Sequence, residues 1–178
     1  QLPYAIVFLL NRFFDAIVPA IVDAGGTVDK YLGDGLLAVF ELPDANKSAN
    51  AALKAAEGIG TALARFNENL ANEGGAPVRV GVGLHLGQIV LGEIGARIHA
   101  PRTIIGDAVN TASRLEAQTK DMQVEALVSR ALLDAAGRGA PEDRFVTLTL
   151  RGVGAPLDAL PIKQLTHISA VTRVHADA

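Results

Sequence analysis

An aspartate between two glycines, Gly33-Asp34-Gly35, joins two short apolar runs at 27–32 and 36–40. That arrangement puts a carboxylate at a hairpin tip, exposed and close to backbone oxygens, which suits a cation with oxygen ligands. Glycine and aspartate are also the favoured residues of a plain tight turn, so the tripeptide by itself has an equally simple structural reading. Lys30 precedes Asp34 by four residues and stands among Val28, Tyr31 and Leu32. An ammonium in that setting favours a specific partner, although a lysine on a strand edge also keeps a sheet soluble. Further on, Gly106-Asp107 opens a helical stretch with Asp107 near the positive end of its dipole. Asn110 and Arg114, four apart, project from one face, while Val109, Ala112 and Leu115 are expected to turn inward. An amide beside a guanidinium can receive a sugar and a phosphate. An ordinary polar helix face has the same composition.

The elements that must position these residues follow from the apolar spacing. Ile6, Leu9, Leu10, Phe13, Phe14, Ile17 and Ile21 make a helical stripe over 4–24, with a kink expected at Pro19 and a stop at Gly25-Gly26. The hairpin comes next, then an alanine-rich helix over 46–71 and a loop at 72–77. Runs 78–84 and 88–94 around Gly87 read as a second hairpin, followed by a polar loop at 95–102. The helix over 106–119 leads to a strand at 124–128 and a short helix at 129–136. A last strand pair covers 145–150 and 157–165. The stretch after His167 lacks periodicity and is expected to be a mobile tail. Strands that arrive in hairpins predict an antiparallel sheet with helices on one side, an α+β layout in one domain over 1–166 with a tail at 167–178.

Composition narrows the partners. The 178 residues carry 16 Lys plus Arg against 19 Asp plus Glu, a net charge of −3. Nothing basic enough for a nucleic-acid backbone is present. Cysteine is absent, which excludes disulfides and thiolate metal sites and fits a reducing, cytoplasmic setting. The four histidines, His85, His99, His167 and His175, share no metal-ligand spacing. Hydrophobic residues make up 49% and aromatic ones 4%, with mean hydropathy +0.28. The richest apolar run, 5–10, is far short of the roughly 20 residues a membrane span needs, so no membrane contact is expected. The apolar excess fits either an alanine- and valine-rich core or a surface covered by a second copy.

Taken together and in this order, the segments resemble one family. Residues 25–40 resemble the central hairpin of class III adenylate and guanylate cyclases, and 80–92 resemble its second hairpin. Residues 103–116 are similar to its transition-state helix, and 150–153 to its last phosphate-binding strand. The likeness spans roughly 3–165 and implies a ferredoxin-like antiparallel sheet with helices packed on it. It implies that Asp34 is the second of two metal-binding aspartates and that two Mg²⁺ or Mn²⁺ ions serve the reaction. Lys30 then looks like the adenine-reading lysine, with Thr103 as its partner. Asn110 resembles the ribose-orienting residue and Arg114 the one that stabilises the transition state. Arg151 stands where the family usually has a phosphate-contacting lysine. Lysine suits an acceptor such as adenine N1, and threonine can accept from the exocyclic amine. Guanylate cyclases typically have Glu and Cys at these places, so the pair favours ATP, converted to cyclic AMP and pyrophosphate. The family also works as a head-to-tail pair with sites shared at the interface, so Lys30 and Asp34 would serve different sites of a homodimer.

The family's first metal aspartate lies on a strand before the first helix, and that motif is not in this sequence. The expectation is that the sequence is clipped within a longer protein, a membrane-tethered one being among the options, and that on its own it has little activity. Two other readings compete. A silent, nucleotide-binding regulatory dimer would be expected to lose some of Lys30, Asp34, Asn110 and Arg114, all of which are present. A diguanylate cyclase would have a Gly-Gly-Asp/Glu-Glu-Phe hairpin, which Gly33-Asp34-Gly35-Leu36 does not match.

Overall fold

Helix α1 (Pro3–Asp23) runs through Pro19, and its Phe13, Ile17 and Ile21, one turn apart, are buried. It ends as expected: Gly25 takes φ +93°, and Gly25 and Gly26 donate to the Val22 and Ile21 carbonyls. The protein is described by a computed structural model covering residues 3–93 and 102–174. After α1 come β1 (Thr27–Leu32), β2 (Gly35–Val39), α2 (Ala45–Asn72), β3 (Val82–Leu84), β4 (Val90–Glu93) and β5 (Arg102–Ile105). Then follow α3 (Asp107–Met122), β6 (Ala126–Ser129), α4 (Arg130–Ala135), β7 (Arg138–Gly139), β8 (Val146–Leu148), β9 (Leu157–Ile162), α5 (Ile168–Val171) and β10 (Arg173–Val174).

Helix α2 starts where the Asp44 carboxylate accepts the Lys47 N–H at 2.7 Å. A cap of this kind stabilises a helix by about 1 kcal/mol. Its buried face, including Leu53, Leu63 and Phe66, packs on α1, with Phe13 edge-on to Phe66 at 6.0 Å. Each such fully buried side chain stabilises the fold by roughly 1.5–3 kcal/mol. Asn67 then fixes the approach to β3, its amide donating to the Val78 carbonyl and its oxygen accepting the Val78 N–H. By length and composition, Tyr4–Asp23 is apolar enough to cross a membrane, contrary to the expectation from uninterrupted runs. Asn11, Arg12 and Asp15 break those runs without making the whole segment polar.

The α+β layout holds, with three corrections. Runs 78–84 and 88–94 do not pair with each other. β3 instead pairs parallel to β6, and β4 pairs antiparallel to β5. The path from β3 to β6 through β4, β5 and α3 is long enough to bring the chain back in the same direction, which a tight hairpin cannot do. The four-stranded sheet, order β3-β6-β9-β8, is therefore mixed. Secondly, helices cover both faces of it. Ala126 and Val128 of β6 face the core that α1 and α2 share, while Leu127 packs with Leu115 of α3. All four residues of β6 are buried, as in a strand covered on both sides. Thirdly, the segment after His167 is docked as far as residue 174. Ile168 and Thr172 are buried and β10 pairs with β7, so two anchoring side chains hold a segment too short to show a period. Residues 94–101, the last of the expected strand run and all of the expected polar loop but Arg102, lie outside the described residues, and Arg102 begins β5.

The β1–β2 hairpin stands apart from this sheet. Among the described residues β2 pairs only with β1, and β3 only with β6. A cavity of about 610 Å³ lies beside them, walled by Leu36 and Ala38 of the hairpin, Gly81 and Gly83 at β3, and Phe13 and Ile59 of the helices. Gly83 has a separate reason to be glycine: a Cβ there would collide with the Ala112 carbonyl of α3.

Candidate active site

Asp34 occupies the two-residue turn that follows the Leu32–Gly35 pair. Gly33, with φ +65°, adopts the left-handed conformation there, leaving Asp34 with an ordinary backbone. Glycine at the first central position is the pattern of a hairpin turn whose twist matches its strands. The Asp34 carboxylate is exposed on the rim of the cavity. Lys30 lies on β1, half-exposed, with its Nζ 3.4 Å from Asp29 Oδ2.

On the other side of the sheet, β5 leads through Gly106 directly into α3. Thr103 pairs with Gly92 on β4 and is half-buried. A Cβ on Gly106 would lie 2.6 Å from the Gln88 carbonyl oxygen, so this junction passes too close to its neighbour for any side chain. Thr111, Leu115 and Thr119 form the buried stripe of α3, with Val109 and Ala112 at its edge lining the cavity. This differs from the expected inward set. The Thr111 and Thr119 hydroxyls make inward threonines acceptable by bonding to the carbonyls of Asp107 and Glu116. Asn110 and Arg114 are exposed together along one flank of this stripe. Arg151 is exposed in the turn after buried Leu150, shaped by Gly152 at φ +77°.

Among the described residues no hydrogen bond or ion pair joins Asp34, Asn110, Arg114 and Arg151 to one another, and neither arginine has a salt bridge. The two guanidinium charges are thus left open to a ligand.

Sequence reasoning missed Glu116. It lies two residues beyond Arg114, and only folding carries it to the cavity wall that Asp34 also lines. The residue is largely open to solvent, but its Oε1 is 3.0 Å from the position of a Cβ on Gly81. Its carboxyl is held above the usual range, first by loss of hydration and then by the negative charge of Asp34. Two carboxylates thus line the same cavity wall. His85, whose Nδ1 is 2.9 Å from the Ser129 hydroxyl, is pushed down by burial.

Asp34 offers the hard oxygen donor that Mg²⁺ or Mn²⁺ prefers, and the negative surroundings favour a cation. Among the described residues no group of three or more histidine, aspartate or glutamate side chains is gathered to hold a metal. The described chain thus fits one carboxylate of a metal set.

Residues 1–137 match the adenylate and guanylate cyclase catalytic domain, and the chain belongs to that family. It is 36% identical over 135 residues to an adenylate cyclase of Anabaena cylindrica, covering 74% of this chain and 26% of that protein. To the terminal-differentiation-specific adenylate cyclase of Dictyostelium discoideum it is 31% identical over 137 residues, 77% of this chain and 6% of that protein. The chain thus spans about a quarter or less of these relatives. Its backbone superposes on the crystal structure of the guanylyl cyclase Cya2 with a TM-score of 0.80 at 27% identity, covering 91% of this chain and 82% of that one. Relatives of both substrate types therefore stand beside it.

Proposed function

We propose that the domain converts ATP to 3′,5′-cyclic AMP and pyrophosphate, at sites shared between two copies of the chain. The observation that carries this reading is the exposed face of α3, where Asn110 stands beside an Arg114 that has no salt bridge among the described residues, seven and eleven residues after Thr103. In the reaction the ribose 3′-oxygen bonds to the α-phosphorus as the bond to the departing pyrophosphate breaks. Lys30 donates to an acceptor on the base edge, and the Thr103 hydroxyl accepts from its exocyclic amine. Asn110 orients the ribose. Arg114 sets its charge where negative charge accumulates at the α-phosphate, and Arg151 holds the other phosphates. Two bound Mg²⁺ or Mn²⁺ ions would make the 3′-hydroxyl more acidic and neutralise phosphate charge. Asp34 is the residue here that would hold them.

The cavity between β2 and β3 supports the expectation of a further strand. It has the apolar lining and the two open strand edges that such a strand would use, and a carboxylate on it would stand near Asp34. Tyr31 and Leu32 on the first hairpin and Val90 and Ile105 on the second are 55%, 58%, 65% and 47% exposed. Large apolar side chains on the elements that carry Lys30, Asp34 and Thr103 favour a second copy as their cover. We assign α1 to this domain, because Phe13, Ile17 and Ile21 join the common core and Arg12 pairs twice with Glu73 beyond α2. A reaction that consumes ATP favours a cytoplasmic setting for the domain.

The test is cyclic nucleotide formation by the chain, and by any longer protein that contains it, with Mn²⁺ and with ATP and GTP offered separately. Wherever turnover is found, cyclic AMP from ATP with little product from GTP is expected. Preference for GTP would overturn the specificity. Nucleotide binding by a dimer with no turnover of either would favour the silent regulatory module.

A further inference from the structure

The strand that carries Lys30 is irregular. Thr27 and Val28 pair with Val39 and Ala38, and then Lys30 pairs with Leu37, so Asp29 has no residue opposite it. Successive side chains of a regular strand point to opposite faces and do not meet. A one-residue bulge breaks that alternation and re-aims a side chain. Here it brings neighbours into contact: Lys30 Nζ lies 3.4 Å from Asp29 Oδ2.

The two partners are unequally placed. The Asp29 side chain is 10% exposed and that of Lys30 41%. Asp29 Oδ2 is shut off from solvent and accepts no hydrogen bond among the described residues. A carboxylate oxygen buried in this way needs a compensating charge, and the Lys30 ammonium provides one. Asp29 is thus a buried anchor, and Lys30 is a cation tethered to it with one side open.

We propose that Asp29 is a positioning residue for nucleobase selection, acting through Lys30; this rests on the reading of Lys30 as the residue that meets the base. A free lysine loses much rotamer freedom when it settles on one acceptor. A lysine already drawn to a buried carboxylate has lost part of it beforehand, so binding to the base is favoured by preorganisation. The tether also sharpens discrimination. Adenine offers a ring-nitrogen acceptor to the ammonium, whereas guanine presents an N–H donor at the same edge. An untethered lysine can swing away from that mismatch; one held by Asp29 cannot, and the unpaired polar groups disfavour guanine.

The experiment is a selectivity measurement on the cyclase-active protein. Asp29→Asn keeps the shape of the side chain and removes its charge. It is expected to lower kcat/KM for ATP roughly tenfold, mainly through KM, the scale set by weakening one hydrogen bond from a charged group. The loss on GTP should be smaller, so the ATP-to-GTP ratio falls. Asp29→Glu, which restores the charge, should recover part of the ratio. Thermal unfolding and dimer mass are followed alongside, and a double-variant cycle removes the dependence on Asp29→Asn alone. Once Lys30→Met has removed the ammonium, adding Asp29→Asn should change the ratio no further. An unchanged ratio, equal losses on both nucleotides, or full additivity with Lys30→Met would overturn the proposal. Failure of the underlying specificity reading is distinguishable, because it appears in the wild-type protein as a preference for GTP.

Discussion

Changing Asp34 to alanine is expected to lower cyclase activity roughly a thousandfold or more while leaving the dimer and the fold intact. A carboxylate that holds a metal ion gives access to several kcal/mol of charge stabilisation, and each 1.4 kcal/mol is about a tenfold change in rate. The structural cost should be small, because Asp34 is exposed and the turn is shaped by Gly33 at φ +65°. Its removal also relieves the charge that Asp34 imposes on Glu116. The check is to measure turnover across a Mn²⁺ titration beside a thermal unfolding curve. Loss of activity with unfolding unchanged and no rescue at high metal fits a ligand role. Near-full activity would remove Asp34 from the metal site.

The second large effect is expected at Arg114. Arg114→Ala should lower kcat by roughly two to three orders of magnitude and change ATP affinity little, the pattern for a charge used mainly in the transition state. Arg114 is exposed on α3, to one side of the buried Thr111, Leu115 and Thr119, and has no salt bridge among the described residues to lose. Lysine at this position should restore only part of the rate, since a point charge does not reproduce the planar fork of a guanidinium. Single-turnover kinetics and equilibrium nucleotide binding separate the two effects. Equal losses in binding and turnover would make Arg114 a ground-state phosphate contact instead.

Where the candidate residues lie was legible wherever local chemistry sets the turn or helix start. Gly33-Asp34-Gly35 between apolar runs specifies a hairpin tip, and Gly106-Asp107 specifies where α3 begins. Helix α2 was legible from its alanines, and Asp44 caps it. What was not legible depends on contacts distant in sequence. The runs at 78–84 and 88–94 look like a hairpin around Gly87, yet Gly83 is there because α3 presses on β3, and β3 finds its partner in β6. The strand around 124–128 did not announce a second covered face; the cluster around Leu115 and Leu127 reveals the covering helix. Glu116 and Asp29 escaped notice for related reasons. Glu116 gains significance only through its folded proximity to Asp34, and Asp29 through a bulge that no residue type in β1 announces.

The shared-site homodimer is the center of the functional reading, and mixing two disabled chains tests it most directly. Asp34→Ala and Asn110→Ala chains are purified separately, shown to be inactive and dimeric, and then combined. A mixed dimer holds one site with both defects and one with neither, so recovery of cyclic AMP formation toward one intact site per mixed dimer is expected. Absence of any recovery, with mixed dimers demonstrated, would contradict it and return each site to a single chain.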